Sequence, residues 1–553
     1  MRRFAALYTA LDATTSTLAK RSAMRDYFAS VPSADAAWAA YFLAGGKPRQ
    51  VVPTRVLREL ACQEAGLPEW LFEESYQAVG DLAETIAHVL PPATHLSDLG
   101  LAAWVETRLL PLRGTSPAHI AHALRQYWAE LDWGGRFLLS KLIGGSFRVG
   151  VSRQLVVRAL ADLSGVDHRQ IAQRMVGFTD ARRAPDAARF ERLLAAPVEG
   201  EARDAVHLDE PGLPYPFFLA HQLEGEAAAL GPLQNWIAEW KWDGIRAQLV
   251  RRAGQTWIWS RGEDLVTDRF PELCALAEHL PDGTVIDGEI VAWDAEAGRP
   301  LSFATLQPRI ARKTLTRKIL ADAPVRLIAY DLLEQQGHDL RDTPQHARRA
   351  RLEALVTATD QPALGLSPSV EAESWEALAT LREESRSRAV EGLMLKAREA
   401  RYGVGRTKLS GQWWKWKVEP YSIDAVLVYA QRGHGRRASL YSDYTFAVWD
   451  RPADAPGERQ LVPFAKAYSG LTDEELRRVD AVVRRTTIEK FGPVRSVTPS
   501  QVFELAFEAI QASTRHKSGI AVRFPRILRW RHDKPLAEAD TLQTLQSLLT
   551  AAA

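Results

Sequence analysis

Two cysteines, Cys62 and Cys274, are all that the 553 residues contain. A disulfide framework and a four-cysteine zinc module are both excluded. Cysteine used so sparingly predicts a reducing, cytoplasmic setting. Long apolar runs are missing too: none approaches the ~18 residues that a membrane-spanning helix needs, so no membrane is expected. Met1-Arg2-Arg3 and the apolar residues after it faintly resemble a signal sequence, but Asp12 breaks the run and no clean cleavage site follows. An excess of one charge is lacking as well. Seventy Lys and Arg stand against 68 Asp and Glu, a net +2. Global basicity therefore announces no nucleic acid, and any anion-binding surface must come from local patches. The chain has no Walker-type phosphate loop, and Gly403-Val404-Gly405 is too short for a dinucleotide fingerprint.

What is present in quantity is tryptophan, 17 in all, which suits strand packing and stacking without naming a ligand. At ~150 residues per domain the length predicts roughly three to four domains. Residues 1 to about 200 carry apolar side chains at helical spacing, such as Phe4, Leu7, Leu11 and Leu18. Within this part an amphipathic helix through Arg136–Ile143 runs into a glycine turn, and another helix starts near Ser152. Amides at such a turn and at a helix N-terminus suit phosphate, with Arg148 and Arg153 adding charge. An ordinary helical hairpin would have the same pattern.

A Gly-, Pro- and acid-rich connection around Pro197–Pro216 marks a boundary, after which strands appear. The stretch Glu239-Trp240-Lys241-Trp242-Asp243-Gly244-Ile245-Arg246 stands out. If extended, it places Glu239, Lys241 and Asp243 on one face and Trp240 and Trp242 on the other. That suits a nucleophile or phosphate ligand as well as it suits a solvated charge ladder. Ile245–Arg251 and Thr256–Ser260 read as a hairpin about Ala253-Gly254. Glu289 lies in a largely apolar strand, where an unpaired carboxylate would be costly. The acid-free run Arg309–Lys318 is either a solvated helix face or a phosphate-tracking patch. Extended, Trp414-Lys415-Trp416-Lys417 separates two lysines from two tryptophans. From Asp424 onward short strands predict a small β-barrel, ending in Arg523, Arg526, Arg529, Arg531 and Lys534.

In order along the chain come Lys241 to Arg246 (Lys-x-Asp-Gly-x-Arg), Ser260-Arg261, Asp287-Gly288-Glu289, Tyr330-Asp331-Leu332-Leu333, Glu391-Gly392-Leu393-Met394-Leu395-Lys396 and Trp414-Lys415-Trp416-Lys417. Arg523-Phe524-Pro525-Arg526, through Asp533-Lys534, closes the series. A lone Lys-x-Asp-Gly is weak, but seven motifs in one order are specific. This set resembles the ATP-dependent DNA ligases of the nucleotidyltransferase superfamily, in their bacterial three-domain form. The resemblance is firm over 205–553. It is looser in the helical part, which carries a Gly-x-x-Arg-x-Gly turn ending at Gly150.

The resemblance implies a multi-domain fold: an all-α DNA-binding domain at 1–203, an α+β adenylation domain at 204–420 and an OB-fold barrel at 421–553. It implies that Lys241 attacks the α-phosphate of ATP and holds AMP as a phosphoramidate. Glu239 would accept from the adenine amino group, Tyr330 would stack on the purine, and Arg261 and Glu289 would hold the ribose. Arg246 would help to lower the pKa of Lys241. Glu289 and Glu391 would bind Mg2+ or Mn2+. Lys396, Lys415 and Lys417 would neutralise the phosphates, with Arg406 as a further nucleotide contact. Arg148, Gly150, Ser152 and Arg153 would meet DNA. Arg523, Arg526, Arg529, Arg531, Asp533 and Lys534 would orient pyrophosphate. The partner would be nicked duplex DNA, encircled by a monomer.

Three rivals can be weighed. RNA ligation or capping shares the lysine motif but lacks the large helical part and the Arg-Phe-Pro-Arg ending. NAD-dependent ligation carries a zinc module that two cysteines cannot build. A non-catalytic DNA-binding scaffold would be expected to have lost some of Lys241, Glu289, Glu391, Lys415 and Lys417, and all five are present.

Overall fold

The tryptophan-rich stretch does become a strand, and it joins a four-stranded sheet. The computed structural model describes residues 1–14, 16–46, 51–144, 147, 149–180, 183–196, 211–312, 315–405, 412–433, 440–492 and 494–552. They form two compact units. One comprises 1–49, 99–108 and 147–418, and the other 50–98, 109–146 and 419–553. The helical segment expected as one block thus contributes to both.

In the first unit, strand β1 (His221–Gln222) precedes β2 (Trp236–Trp242), and β10 (Val390–Ala397) and β11 (Trp413–Lys417) complete a sheet in the order β1-β11-β10-β2. One face of it is apolar. Trp236, Ala238, Trp240, Leu393 and Leu395 are buried there with Leu378 of the helix Trp375–Glu383, and Trp242, Trp414 and Trp416 pack at its margin. Arg388 and Arg382 lie over the Trp240 and Trp416 rings, at 5.0 and 4.6 Å. The tryptophans beside Lys241 are therefore packing, as strand alternation requires.

The larger sheet contains β3 (Ile245–Arg252), β4 (Gln255–Ser260), β5 (Thr284–Asp294), β7 (Val325–Gln335) and β8 (His338–Asp339) in the order β4-β3-β5-β7-β8. Here β6 (Arg299–Pro300) pairs with β5, and β9 (Leu364–Leu366) pairs parallel to β7. The β3–β4 hairpin closes on Ala253 and Gly254, whose φ values of 48° and 68° are those of a two-residue turn of the twist that hairpins favour. Asp282 accepts from both turn amides at 3.0 Å. One face of this sheet buries Leu249, Ile286, Ile290 and Leu327 against helices Pro271–Ala277, Phe303–Ala311 and Gln345–Thr359, through Leu273, Leu306 and Leu352.

The basic run at 309–318 is neither of the things expected of it at its first member. Arg309 is fully buried and donates to Glu272 and to the carbonyls of Arg269 and Ala323. Its charge serves the packing of two helices. Lys313 lies outside the described residues.

Helices Arg2–Asp12, Thr17–Ser30, Ser33–Leu43 and Arg153–Ser164 belong to the same unit. Phe4, Tyr8 and Phe42 gather round Phe147. Ser152 caps the helix that follows it by accepting from the Leu155 amide, and Gly150 just before it has φ +62°.

The second unit holds helices Thr54–Glu64, Glu69–Val79, Leu82–Val89, Pro117–Ala129 and Trp133–Ile143. It also holds the strand-rich C-terminal part: β12 (Tyr421–Arg432), β13 (Tyr441–Trp449), β14 (Leu461–Ala467), β15 (Thr487–Phe491), β16 (Val494–Val497), β17 (Val502–Phe507), β18 (Ala509–Ala512), β19 (Ile520–Arg523) and β20 (Arg526–Trp530). The long, bulged β12 pairs with β13, β16 and β17, and β17 pairs on with β20, so that one strand serves two directions of the sheet. Helix Asp473–Thr486 begins with a complete capping box between Thr472 and Glu475. Among the described residues no helix is long and apolar enough to cross a membrane.

Candidate active site

Strand parity puts Ile237, Glu239 and Lys241 of β2 on the face opposite the tryptophan cluster. Pairing across the sheet adds Met394 and Lys396 of β10 and Trp413, Lys415 and Lys417 of β11. The large sheet turns Arg246, Asp287, Glu289 and Tyr330 toward this face. The two meet where Lys396 Nζ donates to the Tyr330 carbonyl at 3.1 Å and where Arg246 lies 5.6 Å from the Trp413 ring.

A bulge sets the reactive end. Val390 pairs with Trp242 and Leu393 with Trp240, so Glu391 and Gly392 together oppose Lys241. The extra residue keeps Val390 and Leu393 in the same apolar cluster although they differ in parity. Gly392 has φ +138°, and a Cβ there would stand 2.4 Å from the Trp416 carbonyl oxygen. Glu391, placed beside Lys241, forms an ion pair with its ammonium, and Lys417 Nζ lies 3.4 Å from the same carboxylate oxygen. Gly244 has a different reason to be glycine: a Cβ there would come within 2.3 Å of the Ile290 carbonyl oxygen and 3.0 Å of Glu289 Cγ. The glycine of the lysine motif thus lets the turn pass against the Glu289 strand. Burial pushes the Glu289 carboxyl up to about 8; Lys241 and Arg246 oppose that rise, and Glu391 and Asp243 add to it.

The deep end is different. Glu239 is almost fully buried, and both its oxygens are engaged: Oε1 accepts from Arg349 Nη1 at 2.8 Å and Oε2 from Lys396 Nζ at 2.9 Å. Lys396 is itself 1% exposed, with its ammonium 4.5 Å from the centres of both the Tyr330 and Trp413 rings. Lys396, expected with Lys415 and Lys417 at the phosphates, has its ammonium against Glu239 and the Tyr330 carbonyl. Lys396 shares their face but pairs across β11 with Trp413, two residues before Lys415, beside Glu239 rather than Lys241. Burial holds the Tyr330 hydroxyl pKa well above its ordinary value.

Arg246 is committed elsewhere. It forms a two-pronged pair with Asp287, at 3.1 and 2.7 Å, and donates to the Phe218 carbonyl at 2.6 Å. Tyr402 donates to the same carboxylate at 2.6 Å. Its effect on Lys241 is therefore that of a fixed, partly neutralised charge. Arg261 follows β4 with an exposed side chain, and its amide donates to the Arg246 carbonyl at 2.9 Å. Arg406 and Arg148 lie outside the described residues. Arg153 pairs with Glu263.

In the C-terminal motif Asp424 collects Arg531 at 2.9 Å and Lys534 at 2.7 Å, while Arg531 also grips Asp533 at 2.8 Å. Arg526 pairs with Glu508 and Arg529 with Glu504. Arg523 lies over the Phe524 ring.

The sequence reading missed Arg349, Asp287, Tyr402 and Trp413 as site residues. Asp287 stood inside a quoted motif and could have been found. Arg349 lies in a helix dense with arginine and gave no signal. The bulge did leave one, since the apolar positions 390, 393 and 395 shift phase between the first and the second.

Models of the DNA ligase N terminus, the ATP dependent DNA ligase domain and the ATP dependent DNA ligase C terminal region match residues 1–161, 218–417 and 437–534. The chain belongs to the family of ATP-dependent DNA ligases. A probable DNA ligase of Koribacter versatilis is 30% identical, the match covering 99% of this chain and 96% of that protein. One from Opitutus terrae is 32% identical over the whole chain, which spans 62% of that longer relative. The solved structure named Pmar-Lig_PreS3 is similar with a TM-score of 0.59 at 16% identity, over 96% of this chain and 99% of that one, and so shares the fold. The ligase architecture of helical N-terminal region, nucleotidyltransferase domain and strand-rich C-terminal domain is the one described above. The enzyme is accordingly an ATP-dependent DNA ligase.

Proposed function

We propose that this ligase seals nicks in duplex DNA through AMP carried on Lys241, working as a monomer whose three parts are 1–203, 204–420 and 421–553. The observation that supports this reading most is the graded face of the small sheet. It has a buried end at Glu239 and Lys396, against which Tyr330 of β7 stands, and a part-exposed end at Lys241, Glu391 and Lys417.

The chemistry follows from that grading. An ordinary lysine, with a pKa of ~10.4, is protonated at neutral pH. The residues fit a magnesium-class cation: two part-exposed carboxylates, Glu289 and Glu391, near Lys241, with water and phosphate oxygens left to complete the coordination. Such a cation would neutralise phosphate charge and compete with Lys241 for Glu391. Lys241 Nζ, its proton given up to water, attacks the α-phosphorus; the N–P bond forms, the bond to the bridging oxygen breaks, and pyrophosphate leaves. Lys415 and Lys417 stabilise the charge gathering on the phosphates. Arg523, Arg526, Arg529, Arg531, Asp533 and Lys534 orient the departing pyrophosphate. AMP then passes from Lys241 to the 5′-phosphate of the nick, and the 3′-hydroxyl displaces it. Gly150, Ser152 and Arg153, at a capped helix start, hold DNA through its backbone.

The test is label transfer. With magnesium and α-labelled ATP the protein gains an acid-labile adduct, and Lys241→Ala gains none. Joining of a nicked duplex by Lys241→Ala would remove Lys241 as nucleophile. Equal joining of nicked RNA would overturn the substrate assignment.

A further inference from the structure

Arg349 belongs to none of the motifs, yet it is tied at three points. Nη1 donates to Glu239 of β2, Nη2 to the Ser367 carbonyl at 2.7 Å, and Nε to Glu353 one helical turn on at 2.6 Å. The segment it reaches through Ser367 runs along β2, where Val370 N donates to the Ala238 carbonyl at 2.8 Å and Trp242 Nε1 to Ser367 Oγ at 3.0 Å. One buried guanidinium thus joins the helix Gln345–Thr359, this segment and the strand that bears the nucleophile.

We infer that Arg349 is a positioning residue for base selection: with Lys396 it fixes both oxygens of the Glu239 carboxylate, so that the pocket presents an acceptor to the nucleobase edge. This rests on the reading that Glu239 meets the base. A carboxylate has about four acceptor positions, and the two cations occupy one on each oxygen, leaving others for a ligand. An ionised carboxylate can only accept. It therefore matches a purine whose exocyclic group is an amine and opposes one whose group at that place is a carbonyl. Without Arg349, Glu239 would lose the donor that fixes its Oε1. Lys396 alone would neutralise it but leave Oε1 unheld. Arg349 touches no substrate in this scheme; it acts through Glu239.

The experiment measures lysine adduct formation with α-labelled ATP and with α-labelled GTP for the wild type, Arg349→Met and Arg349→Lys. In parallel it measures sealing of a nick already carrying 5′-AMP, which needs the fold but not the loading of a free nucleotide. Arg349→Met should raise the KM for ATP and lower the ATP-over-GTP preference on the order of 10-fold or more, with sealing of the pre-adenylated nick kept. Arg349→Lys, which keeps the charge but loses the fork, should fall between. An unchanged preference in either variant that still seals the pre-adenylated nick overturns the inference. If Arg349→Met does not seal it, the lysine variant decides alone, and its failure too would make Arg349 a residue of the fold and overturn the inference. No adduct in the wild type with either nucleotide would overturn the underlying reading instead.

Discussion

Glu239 in the adenylation sheet and Asp424 in the strand-rich domain are built to one plan. Each is an acid gripped by one arginine and one lysine: Glu239 by Arg349 and Lys396, Asp424 by Arg531 and Lys534. They differ in water. The first trio has side chains 1–8% exposed, the second 11–20%. In the first, the cost of desolvating three charges is met only while all three stay together, so the trio is a fixed part of the pocket. In the second, water screens and substitutes for any partner that leaves. The same ion pairs therefore differ in hold: the drier set fixes a shape, and the wetter set depends less on any one partner.

This contrast can be broken. The largest effect is expected from Glu239→Ala, which strands two buried cations and should cost about 3–5 kcal/mol, read by urea unfolding followed through tryptophan fluorescence. Asp424→Ala should shift the same curve far less; equal shifts would erase the distinction. Next comes salt. Raising NaCl from about 0.05 to 0.5 M shortens the screening length severalfold. It should loosen the Asp424 cluster, seen as faster amide exchange at Arg531 to Lys534, while exchange around Glu239 stays unchanged. The smallest effect concerns a third acid. Glu289 has cations nearby, yet burial leaves it proton-binding, with a pKa of about 8 against an ordinary ~4.3. A carboxyl raised by folding adds stability that is present at low pH and lost as pH climbs through the folded value. In cation-free buffer the melting temperature of the wild type should therefore fall relative to Glu289→Gln between pH 5 and 9, and parallel curves would contradict this.

Much of the site was legible because chemistry and periodicity coincide in strands. Glu239, Lys241, Lys415 and Lys417 fall on one face by simple alternation, with the tryptophans behind them. The motif order then identified the family. What alternation cannot show is distance along a face, so the pairing of Lys396 with Glu239 left no mark in the sequence. Nor can a helical sequence announce which of its arginines turns inward. Arg309, Arg348 and Arg349 are buried among exposed neighbours of the same type, because each found a carboxylate in a distant segment: Glu272, Asp331 and Glu239. The helical N-terminal part was readable as helix but not in its division between two compact units, since contacts between helices leave no local mark.

The doubled step at Glu391 and Gly392 gives β10 the arithmetic of a parity bit. Replacing Gly392 by alanine puts a side chain at φ +138° and against the Trp416 carbonyl oxygen, a strain local to that residue. Deleting it removes one count, and every later side chain of the strand must change sides or the pairing with Trp240 must slip. Lys396 would then point among the tryptophans, and Leu393 and Leu395 among the charges. A strand whose side chains keep their faces only by way of a bulge can thus vary many of its letters, but not their number.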